Sequence, residues 1–207
     1  MSKPLSRQRR LALAATVSAT LLLPLAGCTT LAKMGVGPGI SDPGTRTTAM
    51  RLTDINLGQA IRRDIYRDVP AARDARIEVT TFYQSVLLTG EVQSQDMKGR
   101  IGEIARGYED VRAVHNELSI GPTLGFGTRS SDSLLESKAN ISLSTGSNIR
   151  SGQTNVVAVN GTLYLMGKLT QRETDRATVR LQALDGVKRI VKIVDILPEQ
   201  ASDAPST

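Results

Sequence analysis

The sequence predicts an α+β protein built from two tandem αββαβ modules, each with two helices packed on a three-stranded mixed sheet. Three observations carry that expectation. The chain repeats itself: Ser85-Val-Leu-Leu-Thr-Gly90-Glu-Val92 aligns with Thr162-Leu-Tyr-Leu-Met-Gly167-Lys-Leu169, 77 residues on, and Asp110-Val111-Arg-Ala-Val114 aligns with Gly186-Val187-Lys-Arg-Ile190, 76 residues on. Each copy holds two β-rich runs separated by a two-residue turn. On either side of each hairpin, apolar residues recur at helical spacing.

Residues 1–27 have the three parts of a secretory signal: a basic stretch to Arg10, an apolar stretch from Leu11 to Leu23, and small residues at Ala26 and Gly27. The apolar stretch is interrupted by Pro24 and is shorter than the roughly 20 residues that span a bilayer. The lone cysteine follows at once, in Leu25-Ala26-Gly27-Cys28, and this tetrapeptide resembles the bacterial lipobox. That resemblance implies cleavage before Cys28 and acylation there with three chains. Each buried methylene contributes about 0.8 kcal/mol, so several chains anchor durably where one would not. Thr29 rather than Asp after the cysteine implies transfer to the outer membrane, on its periplasmic side. Residues 28–53, rich in Gly and Pro, read as a flexible tether.

The first module is expected over residues 54–120. Asp54 reads as the cap of a helix whose stripe is Leu57, Ile61 and Ile65. Two strands, 76–82 and 85–92, are joined at Tyr83-Gln84; a helix carries Met97, Ile101, Ile104 and Ala105; strand alternation returns over 111–120. Residues 121–127, with Pro122 and two further glycines, read as a linker. The second module, 128–197, repeats the order: a helix from about 132 to 144, strands near 155–159 and 162–169 around an Asn160-Gly161 turn, a helix over 171–184 and a strand over 187–196. Residues 198–207 are short, polar and expected to be disordered.

The hairpin followed by apolar-x-apolar-x-Gly-x-apolar, and then a Gly-Val-x-x-apolar strand, resembles the BON family. The second copy carries it as Asn160-Gly161-Thr-Leu163-Tyr-Leu165-Met-Gly167-Lys-Leu169 and Gly186-Val187-Lys-Arg-Ile190; in the first, Gln84 and Asp110 stand where glycine is usual. With the lipobox, the resemblance is to dual-BON outer-membrane lipoproteins. It implies binding of anionic phospholipid and a role in envelope integrity and cell division.

Composition narrows the chemistry. One Cys and one His exclude a disulfide framework and a Cys/His zinc site, and no cofactor, metal or catalytic residue is expected. His115 and Glu117 share a strand face and could in principle act as acid and base, but no nucleophile, second His or acidic cluster accompanies them; the other reading is a surface or sheet-edge histidine. Gly90 and Gly167 lie inside strand patterns, as at a bulge or where a covering helix comes close, and not in a phosphate loop.

The formal charge of +6 does not imply nucleic acid, because Lys3, Arg7, Arg9 and Arg10 belong to the leader. The remainder is polarised: the first module sums to −2 and the second to +4. Arg172, Arg176 and Arg180 recur every four residues, and Lys188, Arg189 and Lys192 lie in the final strand. The second module is therefore expected to meet an anionic surface. Its first helix carries paired leucines, of which one stripe needs only Leu135; Leu134 is displaced from it, with Phe126, Arg129 and Lys138 nearby. These five residues are the candidate contacts to phosphatidylglycerol or cardiolipin; the resemblance points to the same helix but has an aromatic where Leu134 stands. The other reading makes both leucines core. A rival function is a protein-interaction adaptor for outer-membrane assembly machinery, joined through exposed helices or sheet edges.

Overall fold

The computed structural model describes residues 45–145, 149–150 and 152–199. The first module runs α1 (Thr48–Asp68), a short 3-10 turn (Pro70–Asp74), β1 (Arg76–Phe82), β2 (Ser85–Val92), α2 (Gln95–Arg106), β3 (Ala113–Asn116) and β4 (Ser119–Ile120). The second runs α3 (Phe126–Ser144), β5 (Thr154–Val159), β6 (Thr162–Thr170), α4 (Gln171–Gln182) and β7 (Arg189–Leu197). In both, the hairpin is antiparallel and the last strand returns parallel to the middle one. The αββαβ order and the mixed sheets are those expected.

The first module's third strand is interrupted at Glu117 and Leu118. Leu88 faces Asn116 before the gap and Glu91 faces Ser119 after it, so register is kept and nothing is inserted. The counterpart β7 is unbroken over nine residues.

Helix starts differ from the sequence expectation. The first helix begins at Thr48, where the Thr47 hydroxyl accepts the Met50 N–H at 3.2 Å, so residues 48–53 are helical and not tether. The third begins at Phe126 inside the expected linker. Asp54 is therefore not a cap, and Asp132 does not begin its helix. Both are interior helical residues, buried to 3% and 8% exposure, and each carboxylate accepts two backbone N–H groups of its hairpin turn. Asp54 takes those of Tyr83 and Gln84, both at 3.0 Å; Asp132 takes those of Asn160 and Gly161, at 2.8 and 2.9 Å. All four turn residues have positive φ, the geometry of a type I′ hairpin.

Helices α2 and α4 start on hydroxyls as well. Ser94 caps α2, and Thr170 and Glu173 form a reciprocal capping box on α4. Gly90, at φ 118°, is needed because a Cβ there would fall 1.9 Å from the Arg76 carbonyl oxygen. The close neighbour is thus the adjacent strand, not the covering helix.

Each module has its own core between helices and sheet, centred on Ile61, Ile65, Leu88 and Ile101 in one and on Leu163, Leu165, Leu169 and Leu181 in the other. A third cluster joins them. Phe82 and Leu87 from the first sheet pack with Val157, Tyr164, Met166 and Ile193 from the second, on the faces turned away from the helices. The result is helix, sheet, sheet, helix, with β2 buried along its whole length. Two fork contacts of 2.6 and 2.9 Å between Arg112 and Asp195 border this face, and the Lys168 ammonium lies 4.2 Å from the centre of the Tyr83 ring. The connecting segment is fastened to it by the buried Glu91, which accepts the Leu124 N–H at 3.3 Å.

Candidate functional site

Helix α3 packs Leu135, Ala139 and Leu143 against its sheet and leaves a second apolar line uncovered. Leu134 is 64% exposed and Ile141 62%, seven residues apart on one face, with the exposed Lys138 between them; Phe126, the first residue of the helix, is 78% exposed. Half or more of each large apolar side chain is thus in solvent, a placement that hydrophobicity disfavours unless something else covers it.

Beside this line lies an open groove of about 500 Å³ between α3, the Asn160-Gly161 turn and the loop at Gly186. Leu134, Lys138 and Lys188 line it, and the Lys188 ammonium donates to the Asn160 side-chain carbonyl at 3.0 Å. Two lysines, the carboxylate of Asp185 and the apolar Leu134 therefore border the groove. Asp132 reaches it too, but both its oxygens are engaged by the turn.

The five residues singled out from the sequence are only partly brought together. Phe126, Leu134 and Lys138 are exposed on α3 as expected, with Leu134 and Lys138 at the groove. Leu135 is 5% exposed and belongs to the core; the helix period turns it inward, so it meets the groove only from its core side. Arg129 lies on the opposite flank of α3, with Asp132, Ser133 and Glu136, in a cleft of about 290 Å³ that the first module's Arg76, Glu78 and Thr80 close over. Its Nε is buried with no hydrogen-bond partner. In that same cleft burial pushes the Glu136 carboxyl above its ordinary range, although it accepts the Ala158 N–H at 3.1 Å. Ile141 was missed and could have been found at i+7 from Leu134; Lys188, singled out with the basic residues of the final strand, lies just before β7 and lines the groove. Cys28 lies outside the described residues, as does the tail beyond Glu199.

The basic row on α4 is tied inward at both ends. Arg172 donates its backbone N–H to Glu199 at 3.0 Å and holds its guanidinium 3.9 Å from that carboxylate, while Arg180 donates to the Ser142 carbonyl at the end of α3, at 3.0 Å. In the last strand Arg189 faces Glu117 of the first module at 3.9 Å.

His115 lies in edge strand β3, but on the face turned to the second module. It pairs beside Leu87, and burial lowers its pKa while Glu117 and Asp195 oppose the shift. It is a partly buried sheet-edge histidine that borders the inter-module face. Among the described residues no three His, Cys, Asp or Glu side chains are grouped to hold a metal, and no helix is long and apolar enough to cross a membrane.

The BON-domain family model matches residues 54–122 and 131–198, which is more than half of the chain. The chain is 28% identical over 157 residues to a protein of Haemophilus influenzae named outer membrane lipoprotein DolP, covering 76% of this chain and 80% of that one. It is 25% identical over 150 residues to the 21 kDa hemolysin of Actinobacillus pleuropneumoniae, covering 72% and 77%. Among solved structures, the C-terminal domain of CdsD, a type III secretion structural protein of Chlamydia trachomatis, matches with a TM-score of 0.26 and 16% identity over 70% of this chain and 67% of that one.

Proposed function

Since the chain belongs to the BON-domain family, we propose that it is a lipid-anchored protein of the outer membrane's periplasmic face, whose second module binds anionic phospholipid and thereby supports envelope integrity. The observation that carries this reading is the exposed Leu134, Lys138 and Ile141 line of α3 beside the groove with Lys188. Apolar side chains flanked by cations are what an interfacial helix needs: the former enter the acyl boundary and the latter meet phosphates at about 1 kcal/mol each. Lipidation at Cys28 and the outer-membrane address come from the leader and from the likeness to the Haemophilus lipoprotein. An acyl anchor keeps the chain at the surface, so weak contacts suffice. The function is binding and not catalysis: His115 and Glu117 are turned into the inter-module face, where Glu117 faces Arg189.

The module-to-module face dictates the form of the test, because separated modules would expose Phe82, Leu87, Tyr164 and Met166. The mature chain carrying Cys28→Ser should be titrated with phosphatidylglycerol vesicles and with neutral vesicles. Binding is expected to the former, to weaken with salt, and to fall about tenfold or more in Leu134→Ser/Lys138→Glu, given two lost contacts of this size. Binding indifferent to lipid charge, or unaffected by that double substitution, sinks the reading. For the anchor, Cys28→Ala should abolish processing and release the protein from membranes; a variant that is still processed normally and still fractionates with membranes refutes lipidation.

A further inference from the structure

The first module also leaves apolar residues in solvent at the start of its first helix. Met50, Leu52 and Ile55 are 46%, 55% and 53% exposed. Ile55 borders a groove of about 390 Å³ between α1 and β1, with Arg46, Arg51, Gln59 and Arg62 along it. This groove and the cleft at Arg129 occupy the same place in the two modules, between first helix and edge strand. The second module's copy is closed over by the first module, whereas the first module's copy is lined by its own residues and those just before it, with Gly152 of the second module approaching only the end of Arg51.

The cations there are not equivalent. Arg46 is committed, donating to Asp54 at 2.9 Å and stacked 3.9 Å from the centre of the Phe82 ring. Arg62 lies 3.8 Å from Glu78 with both side chains about half exposed, a separation at which an exposed pair contributes little. Arg51 is exposed. Arg51, Ile55, Gln59 and Arg62 follow one another at helical spacing, so they form a stripe along α1. At 1.5 Å per residue the two arginines stand about 16 Å apart, too far to grip one phosphate and suited to separate headgroups in one leaflet.

We propose that this stripe is a second bilayer contact: Arg51 and Arg62 meet the phosphates of two anionic phospholipids while Leu52 and Ile55 enter the acyl boundary between them. The charge count of the whole module conceals this surface. Its net −2 includes Asp54, buried against a turn, and Asp64 and Asp68, both paired with Arg67. Continuity of the chain points the same way, since α1 begins twenty residues after Cys28, which is at most about 70 Å of extended chain. A duplex or an acidic peptide would satisfy the arginines but leave Leu52 and Ile55 wet. The inference goes beyond the reading above, which gives the first module no lipid contact, and rests on it only in placing the protein at a membrane.

The test uses the mature chain with Cys28→Ser, which removes the lone cysteine and allows one fluorophore to be placed at a time. With the label at Ile55→Cys, phosphatidylglycerol vesicles bearing lipid nitroxides should quench it, and Arg51→Ala/Arg62→Ala should weaken vesicle binding about fivefold for each arginine. Circular-dichroism melting verifies that both variants fold. A label at position 55 that stays unquenched while the protein is vesicle-bound overturns the proposal, as does unchanged affinity in a folded double variant. A label at Leu134→Cys reports the second module separately: no quenching there refutes the α3 site and leaves the α1 result standing.

Discussion

In the first module the hairpin turns through Tyr83 and Gln84, both at positive φ; in the second it turns through Asn160 and Gly161. Asn-Gly favours that geometry by itself, whereas two side-chain-bearing residues without Asn or Gly resist it by roughly 1–2 kcal/mol each. Both turns nonetheless have the same form, because an aspartate from the preceding helix takes both turn N–H groups in each. The difference teaches where turn conformation is decided. A buried carboxylate, held by a helix that packs on the sheet, imposes in one module what the turn sequence already prefers in the other.

That comparison can be broken most forcefully at the carboxylates. Asp54→Ala should cost about 3 kcal/mol or more in urea unfolding, since two charge-assisted hydrogen bonds are lost and the turn has no preference to fall back on. Asp132→Ala should cost about 1 kcal/mol less, with hydrogen exchange accelerating at residues 160 and 161 first; equal costs would mean that turn sequence is irrelevant. Next comes Gly161→Ala, expected to destabilise by about 1–2 kcal/mol, because φ is +75° and the new Cβ would lie 3.0 Å from the Gly186 carbonyl oxygen. The reverse change, Gln84→Gly, should stabilise the first module by about 1 kcal/mol, read as a rise in the urea midpoint.

The smallest effect concerns the face that the modules share. His115 has a folded pKa below its unfolded value of about 6.5, with Glu117, Arg112, Asp195, Tyr164 and Arg189 around it. Below pH 6.5 the unfolded chain therefore binds more protons, and stability falls as pH falls. The drop in Tm between pH 7.5 and 5.5 should be smaller in His115→Gln than in the unaltered chain. An identical drop would place the pH dependence elsewhere.

The repeat, the strands and the hairpin positions were legible because period-two runs and Asn160-Gly161 are local signals. Helix starts were not. Residues 48–53 and 126–131 turn no apolar stripe inward, so their only signal was a capping hydroxyl at Thr47 or none at all; Asp54 looked like a cap, and the other helix was placed from Asp132 onward. The separation of Leu134 from Leu135 followed from helix period, yet Arg129 and Lys138 fall on opposite flanks that sequence proximity concealed. The shared sheet face did leave a trace. Val86, Leu87 and Leu88, and likewise Leu163 to Met166, are continuous apolar runs where one-sided strands would alternate, which is the pattern of strands covered on both faces.

That double coverage also sets an order of assembly. The first module's contacts are complete once residue 120 is available, but Phe82 and Leu87 stay uncovered until β5, β6 and β7 exist. For the time it takes to supply and fold some seventy further residues, the leading half is a folded body with an adhesive side. Conditions that delay the second half, such as a nonsense codon or a stalled chain, should therefore yield aggregates built from native-like first modules and not from unfolded ones.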